Sequence, residues 1–191
     1  MPNWCNNTVE IYHKDPAMLE RVRKAFKEGA LLNEFIPVPE DLKIVAGSVG
    51  AKGSPEQDAL ELKEIANLAA HGYKTWYDFC VNEWGTKWDV GSDYAEAQDI
   101  EGGLMLSFDS AWSPPVTAYE KLMDMGFRIY ATYYESGMCY CGIWDNGDDT
   151  YFEYGSMSAA EVRDEIPVEL DEAYGISEYL DECEAQEEGD E

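Results

Sequence analysis

The sequence predicts an α+β fold of the ferredoxin-like (split βαβ) type, an antiparallel sheet with helices on one face. Two observations predict this fold, and a third predicts an extension to it. Strand-like and amphipathic helical segments alternate along residues 1–155. Setting aside a predicted helical insertion at about residues 37–92 leaves an order close to the split βαβ motif. Acidic residues concentrate towards the C-terminus, which predicts an acidic C-terminal extension over residues 156–191.

Residue types and capping signals mark the first strand and helix. Residues 3–13 are rich in β-branched and aromatic side chains, which favours a strand. Asp15 and Pro16 supply a helix N-cap and a first-turn proline, and Gly29 lies where a C-cap glycine belongs. Residues 30–36 indicate either a short strand or an irregular return.

Two helices are predicted within the insertion. The first begins at Ser54-Pro55 and presents one apolar face, which consists of Ala59, Leu62, Ile65, Ala66 and Ala69. The second carries one apolar stripe at helical spacing, formed by Tyr73, Trp76, Tyr77, Cys80, Val81 and Trp84. Gly85 ends this helix, so Trp84 is predicted to lie in the core and residues 86–89 in the exit turn.

Turn and capping signals also delimit the second half of the sheet. Residues 93–100 and 104–108 are predicted strands joined by a glycine-containing turn. A helix is predicted to open with Ser113 as N-cap and Pro114 as its first residue, and to end at Gly126.

A strand at residues 127–134 and a further hairpin complete the predicted sheet. The hairpin pairs residues 138–144 with 150–154 around Asn146-Gly147, a strong two-residue turn signal. Ser158 then opens a capping box, and short acidic helices follow. We expect the last residues to be disordered.

The formal net charge of −27 is unevenly distributed. Residues 145–191 contain 18 acidic residues and one basic residue, whereas residues 1–144 contain 22 acidic and 12 basic residues. Such a surface repels nucleic acids and anionic membranes, because no basic stripe neutralises phosphates. We therefore expect no direct nucleic-acid or membrane binding, and a basic protein as partner.

The sequence indicates neither an exported protein nor a recognised enzyme. The first residues lack a charged leader and an apolar run, and no apolar stretch is long enough to span a membrane, so we expect a cytoplasmic protein with reduced thiols. No phosphate-binding loop, dinucleotide motif or nucleophile elbow occurs, and the only histidines are His13 and His71. We expect no catalytic residue, no metal site and no cofactor.

Three tryptophan-bearing blocks resemble a known family. They are MPNWCNN at residues 1–7, WGTKWD at residues 84–89 and FDSAWSPP at residues 108–115. In this order they resemble the YubB-like family, a ferredoxin-like domain family of phages and plasmids, over about residues 1–145. The resemblance implies a ferredoxin-like fold and a mobile-element origin. It carries over no catalytic residue.

Two interpretations of the exit turn and its neighbour stay open. Indole faces attract cations and stack on planar ligands, so the turn could form a ligand pocket. The other interpretation is a corner of the core, with the lysine in an ion pair. The blocks could converge, because the N-terminal strand of this fold is central. The ligand-pocket candidates are Lys87, Trp88, Asp89 and Trp112.

The acidic extension has two interpretations as well: a solubilising tail, or a surface that imitates the charge of nucleic acid. Apolar residues interleave with the acids, which favours docked helices. The candidate partner-binding residues are Glu161, Asp164, Glu165, Glu169, Asp171, Glu172, Glu178, Asp181 and Glu182. The leading hypothesis is a non-enzymatic phage or plasmid accessory protein that inhibits a basic, nucleic-acid-handling host or defence protein. The alternative is a small-ligand-binding domain or an unrecognised enzyme.

Overall fold

A six-stranded antiparallel sheet organises the protein. The structure is a computed structural model that describes residues 3–92, 94–95 and 97–189. The strands are β1 (Trp4–Tyr12), β2 (Gln98–Ile100), β3 (Gly103–Ala111), β4 (Arg128–Glu135), β5 (Tyr140–Asp145) and β6 (Asp148–Glu153). They lie in the order β2-β3-β1-β4-β5-β6, and every neighbouring pair is antiparallel. The predicted α+β class with an antiparallel sheet is confirmed.

The N-terminal strand β1 lies inside the sheet, between β3 and β4. Its alternate residues Cys5, Asn7, Val9 and Ile11 are buried, whereas the intervening ones are half-buried or exposed. This period of two places the apolar side chains on one face. The strand predicted from residue types is therefore confirmed, and it pairs with β3 on one side and β4 on the other.

The first face of the sheet carries the main core. The helices of the N-terminal part of the chain are α1 (Pro16–Lys27), α2 (Leu31–Phe35), α3 (Pro55–His71), α4 (Trp76–Glu83) and α5 (Val116–Asp124). Phe26 of α1 and Leu122 of α5 are buried in one apolar cluster with Ile129 of β4. Each such side chain stabilises the fold by roughly 1.5–3 kcal/mol through burial.

Three acidic helices cover part of the opposite face, beside β4, β5 and β6: α6 (Ala159–Glu165), α7 (Val168–Tyr174) and α8 (Ile176–Gly189). Tyr130 and Thr132 point to this face and bond to Glu169 and Tyr174. Cys141 of β5 is buried on this face, in an apolar cluster with residues of the three helices. Helices thus lie on both faces, and the prediction of one covered face is wrong.

Several local signals are confirmed. Asp15 accepts a hydrogen bond from the backbone N–H of Ala17 and so caps α1. Asn146 and Gly147 both adopt positive φ, 48° and 112°, as a two-residue hairpin turn requires. Ser158 forms the predicted capping box at the start of α6. Each of these signals depends on neighbours within a few positions, so sequence alone suffices to identify it.

Other boundaries differ from the predictions. Residues 31–35 form helix α2 instead of a strand or an irregular return. Helix α5 begins at Val116, because the hydroxyl of Ser113 donates to the carbonyl of Gly85 and does not cap the helix. The strand predicted at residues 93–100 is only β2; its Asp93 and Glu96 lie outside the described residues.

The predicted apolar face of α3 is exposed. Leu62 is 69% exposed and Ile65 is 65% exposed, whereas Leu60 and Asn67 are the buried residues of the helix. The Asn67 amide donates to the carbonyls of Asp41 and Lys74. These long-range hydrogen bonds hold a polar side of α3 against the protein, which the helical period cannot reveal.

The C-terminal helix α8 continues to Gly189. The expected disorder of the last residues remains a prediction, and Asp190 and Glu191 lie outside the described residues. Within the described part of the chain, no helix has both the length and the apolar character needed to cross a membrane.

Candidate functional site

Trp84 lies in the core and the exit turn follows it, as predicted. Trp84 is only 4% exposed, and its indole N–H donates to the carbonyl of Ile36 at 2.9 Å. Gly85 then takes a φ of 83°, a conformation that favours glycine. The buried hydroxyl of Thr86 donates to the carbonyl of Ala111 at 3.0 Å. The turn is thereby attached to the end of β3, directly before Trp112.

Lys87 lies among three aromatic rings. Its ammonium nitrogen is 4.6 Å from the ring centroid of Trp88, 5.2 Å from that of Trp112 and 5.7 Å from that of Tyr77. No carboxylate of the described residues lies within ion-pair distance of Lys87. The ammonium is attracted by the ring quadrupoles, and its charge is not neutralised by a local acid.

Trp112 has an unusual backbone conformation. Its φ of 70° is left-handed, which for a bulky residue costs on the order of 1–3 kcal/mol. Two hydrogen bonds hold it there: its N–H donates to the carbonyl of Asn3, and its carbonyl accepts from the hydroxyl of Tyr140 at 2.6 Å. The indole is nevertheless 41% exposed. Strain of this kind is concentrated at functional sites.

All three tryptophan-bearing blocks meet at this end of the sheet. Trp4 of the N-terminal block lies 5.8 Å from Trp88, measured between ring centroids, and is 49% exposed. Tyr77 contacts Trp112 edge to face at 6.4 Å. Lys87 is thus surrounded by the rings of Tyr77, Trp88 and Trp112, and Trp4 packs beside Trp88. The burial expected for the core-corner interpretation applies to Trp84 and Thr86.

Asp89, the fourth pocket candidate, has a structural role. Its carboxylate accepts from the backbone N–H groups of Leu32 at 2.6 Å and Asn33 at 2.9 Å, and so caps α2 from a distant segment. A third hydrogen bond comes from the N–H of Val90. Burial raises the pKa of Asp89, and the three backbone hydrogen bonds oppose that rise. Both oxygens of this carboxylate are thus occupied.

A cavity of about 420 Å³ opens between the start of α4 and Trp112, and we name it the Lys87 cavity. Its lining residues are Ala46, Gly47, Glu64, Lys74, Thr75, Trp76, Tyr77, Asp78, Lys87 and Trp112. Sequence reasoning assigned Tyr77 to a helix stripe and did not connect it with Lys87. No local signal could have done so, because the contact depends on how α4 lies against the end of β3.

The acidic candidates lie on the three C-terminal helices. Eight of the nine are exposed, and Asp171 is half-buried. Asp171 accepts two hydrogen bonds from Ser177, and Glu169 accepts one from Tyr130. Arg163 bonds to Asp181 and lowers the pKa of that carboxyl. We name the nine residues Glu161, Asp164, Glu165, Glu169, Asp171, Glu172, Glu178, Asp181 and Glu182 the acidic surface.

Apolar contacts hold this acidic surface in place. Val162, Ile166 and Leu170 are buried in a second cluster with Cys141. The ring of Tyr174 stacks on Tyr134, with centroids 4.8 Å apart and planes 10° from parallel. The helices that display the carboxylates are therefore packed on the sheet, as expected from the interleaved apolar residues.

Three of the five cysteine thiols are buried in the protein. Burial raises the pKa of the Cys5, Cys80 and Cys141 thiols to about 12, so these thiols are protonated at neutral pH. In the described ranges, no group of three or more His, Cys, Asp or Glu side chains could hold a metal ion. The two histidines contact different parts of the protein: His13 packs on Phe127, and His71 lies beside Asp41.

No protein-family model and no curated protein matches this chain. Among solved structures, it is similar to the crystal structure of a protein api92 from Yersinia pseudotuberculosis, of family DUF1281. The TM-score is 0.42 and the sequence identity is 16%, and the match covers 82% of this chain and 99% of that chain.

Proposed function

We propose that this protein is a non-enzymatic accessory protein of a phage or plasmid that acts in the host cytoplasm. It binds and inhibits a basic, nucleic-acid-handling host or defence protein through the acidic surface. The origin rests on the resemblance of the three tryptophan-bearing blocks. The mode of binding rests on charge: a net −27 repels polyanions and attracts basic grooves.

We infer that the scaffold is a ferredoxin-like domain with an added hairpin and an acidic extension. Strands β1 to β4 lie in the order 2-3-1-4, and α1 and α5 follow β1 and β3 in the chain. This arrangement agrees with the split βαβ motif. The hairpin β5–β6 extends the sheet on the β4 side, and helices α6 to α8 pack beside it.

The observation that carries the proposal is the exposure of eight acidic side chains on packed helices. B-DNA presents about one negative charge per 1.7 Å of its axis, and a mimic needs charges at comparable density in fixed positions. A disordered tail would lose conformational entropy on binding, whereas helices that are already packed lose less. The arrangement therefore favours a binding surface over a solubilising tail.

The test uses carboxylates that have no hydrogen-bond or ion-pair partner among the described residues. The surface variant changes Glu165, Glu172, Glu178 and Glu182 to Gln. The control variant removes the same number of charges elsewhere, with E101Q, E120Q, D124N and D148N. Both variants spare the Glu161 capping box and the Arg163–Asp181 ion pair, so both are expected to fold.

Each protein is immobilised and incubated with host lysate at about 0.1 M and about 0.5 M salt, conditions that differ strongly in screening. We expect the wild type and the control variant to retain the same nucleic-acid-binding protein, and duplex DNA to displace it. We expect the surface variant to retain little, and high salt to release the partner. Equal retention by the surface variant would overturn the proposal.

A further inference from the structure

The ammonium group of Lys87 has a distinctive environment. It lies within 6 Å of the centroids of three rings, yet it has no hydrogen-bond acceptor and no carboxylate partner among the described residues. Two of these rings, Trp88 and Trp112, are 38% and 41% exposed. Lys87, Tyr77 and Trp112 all line the Lys87 cavity, so the ammonium and two of the rings border the same open space.

The other charged groups of the Lys87 cavity already have hydrogen-bond or ion-pair partners. Lys74 lies 3.9 Å from the carboxylate of Glu64. The carboxylate of Asp78 accepts from the backbone N–H and the hydroxyl of Thr75 in the capping box of α4. Lys87 is thus the charged group of the cavity lining that has neither a hydrogen-bond nor an ion-pair partner among the described residues. A ligand that binds beside Lys87 gains most from a single anionic group. Additional negative charges on the ligand would be repelled by Glu64 and Asp78.

The aromatic rings add a second requirement. Exposed indole and phenol faces bind planar rings by stacking, and a cation held beside them directs an anionic substituent. The strained backbone of Trp112, held by Asn3 and Tyr140, keeps its indole exposed beside Lys87. The cavity volume of about 420 Å³ lies in the range of small-molecule sites.

We propose that the Lys87 cavity binds a small ligand that combines one planar aromatic ring with one anionic group. Nucleoside monophosphates and aromatic carboxylates share this chemistry. The ring stacks on Trp112 or Tyr77, and the phosphate or carboxylate bonds to the Lys87 ammonium. Long polyanions are disfavoured by the charge of the whole chain. The site is separate in residues from the acidic surface and does not depend on its function.

Isothermal titration calorimetry of the full chain tests this proposal with defined probes. The ring-plus-anion probes are AMP, GMP, CMP, UMP and indole-3-acetate. Adenosine supplies a ring without the anion, and inorganic phosphate supplies the anion without a ring. We expect at least one ring-plus-anion probe to bind with a dissociation constant below about 1 mM, and about tenfold tighter than adenosine or phosphate. Nucleotides and aromatic carboxylates are compared directly, so the experiment also identifies the source.

Two variants locate the binding. K87Q removes the charge, and W112G removes the ring while tolerating the positive φ. Each is expected to weaken the probe about tenfold or more. K14Q is the matched control, because Lys14 is an exposed lysine at the other end of β1 and pairs with no described residue. It should bind as the wild type does, and so should the surface variant of the acidic helices. Circular dichroism checks that each variant is folded.

Three results would overturn the proposal. The first is that none of the ring-plus-anion probes binds the wild type at about 1 mM. The second is that K87Q and W112G, both folded, bind a probe as tightly as the wild type. The third is that a ten-nucleotide single strand binds more tightly than the mononucleotides, because this would indicate a polymer site.

Discussion

The carboxylate of Asp89 accepts a hydrogen bond from the backbone N–H of Leu32 at 2.6 Å. With the bond from Asn33, this contact supplies helix α2 with an N-cap from a segment more than fifty residues away. The residue that caps the helix in sequence, Ala30, has no side-chain acceptor. The contact therefore joins the exit turn after Trp84 to the start of helix α2.

Replacing Asp89 should destabilise the protein. D89A leaves the N–H groups of Leu32 and Asn33 without their acceptor, and we expect a loss of about 2 kcal/mol or more in the free energy of unfolding. D89N retains an oxygen acceptor and should lose less. Urea denaturation measures both, with the exposed E101A as control. Equal stability of D89A and wild type would contradict the capping role.

Two leucines two positions apart on α3 should differ in how much stability is lost when each is replaced by alanine. Leu60 is 7% exposed, so L60A should cost about 2–4 kcal/mol. Leu62 is 69% exposed, so L62A should change stability by about 0.5 kcal/mol or less. Urea midpoints of the two variants provide the comparison. A larger loss of stability for L62A than for L60A would contradict the observed burial and support the apolar face that the helical period predicts.

The stability of the α4–α5 contact should depend on pH through Glu83. Burial raises the pKa of Glu83, but hydrogen bonds from Lys121 and Tyr73 outweigh burial and lower it overall. A carboxyl whose folded pKa is depressed stabilises the fold above its unfolded pKa, and this contribution is lost as pH falls through the folded pKa.

We therefore expect E83Q to be less stable than the wild type at pH 7, and the difference to shrink as the pH falls below about 4. Thermal unfolding at a series of pH values measures the difference, with E101Q as the control for general charge effects. A difference that stays constant from pH 7 to pH 3 would show that the ionised carboxylate contributes nothing.

The thiols should differ in reactivity. Burial raises the pKa of three of them, Cys5, Cys80 and Cys141, to about 12, whereas Cys139 and Cys183 are half-buried. Because the thiolate is the reactive species, an aromatic disulfide reagent at pH 8 should label at most two thiols quickly. In denaturant, all five thiols should become accessible and react. Fast labelling of Cys5 in the native protein, detected by peptide mapping, would contradict its burial.

Sequence reasoning predicted those parts of the fold that depend on neighbouring residues. The Asp15 cap, the Ser158 capping box and the Asn146-Gly147 turn each need only a few adjacent positions, and all three are present. The strand β1 was predicted from its β-branched and aromatic residues, which is equally local information. Ser113 shows the limit, because its hydroxyl bonds to Gly85 instead of capping α5.

By itself, the sequence determined the elements with strong local signals, the concentration of acidic charge near the C-terminus, and the candidate status of Lys87 and Trp112. Only the tertiary structure decided that α3 exposes Leu62, that Asp89 caps α2, and that Tyr77 joins the rings around Lys87. The physical reason is that local propensity acts through adjacent residues. Burial, remote capping and ring contacts arise between segments that meet only when the sheet has formed.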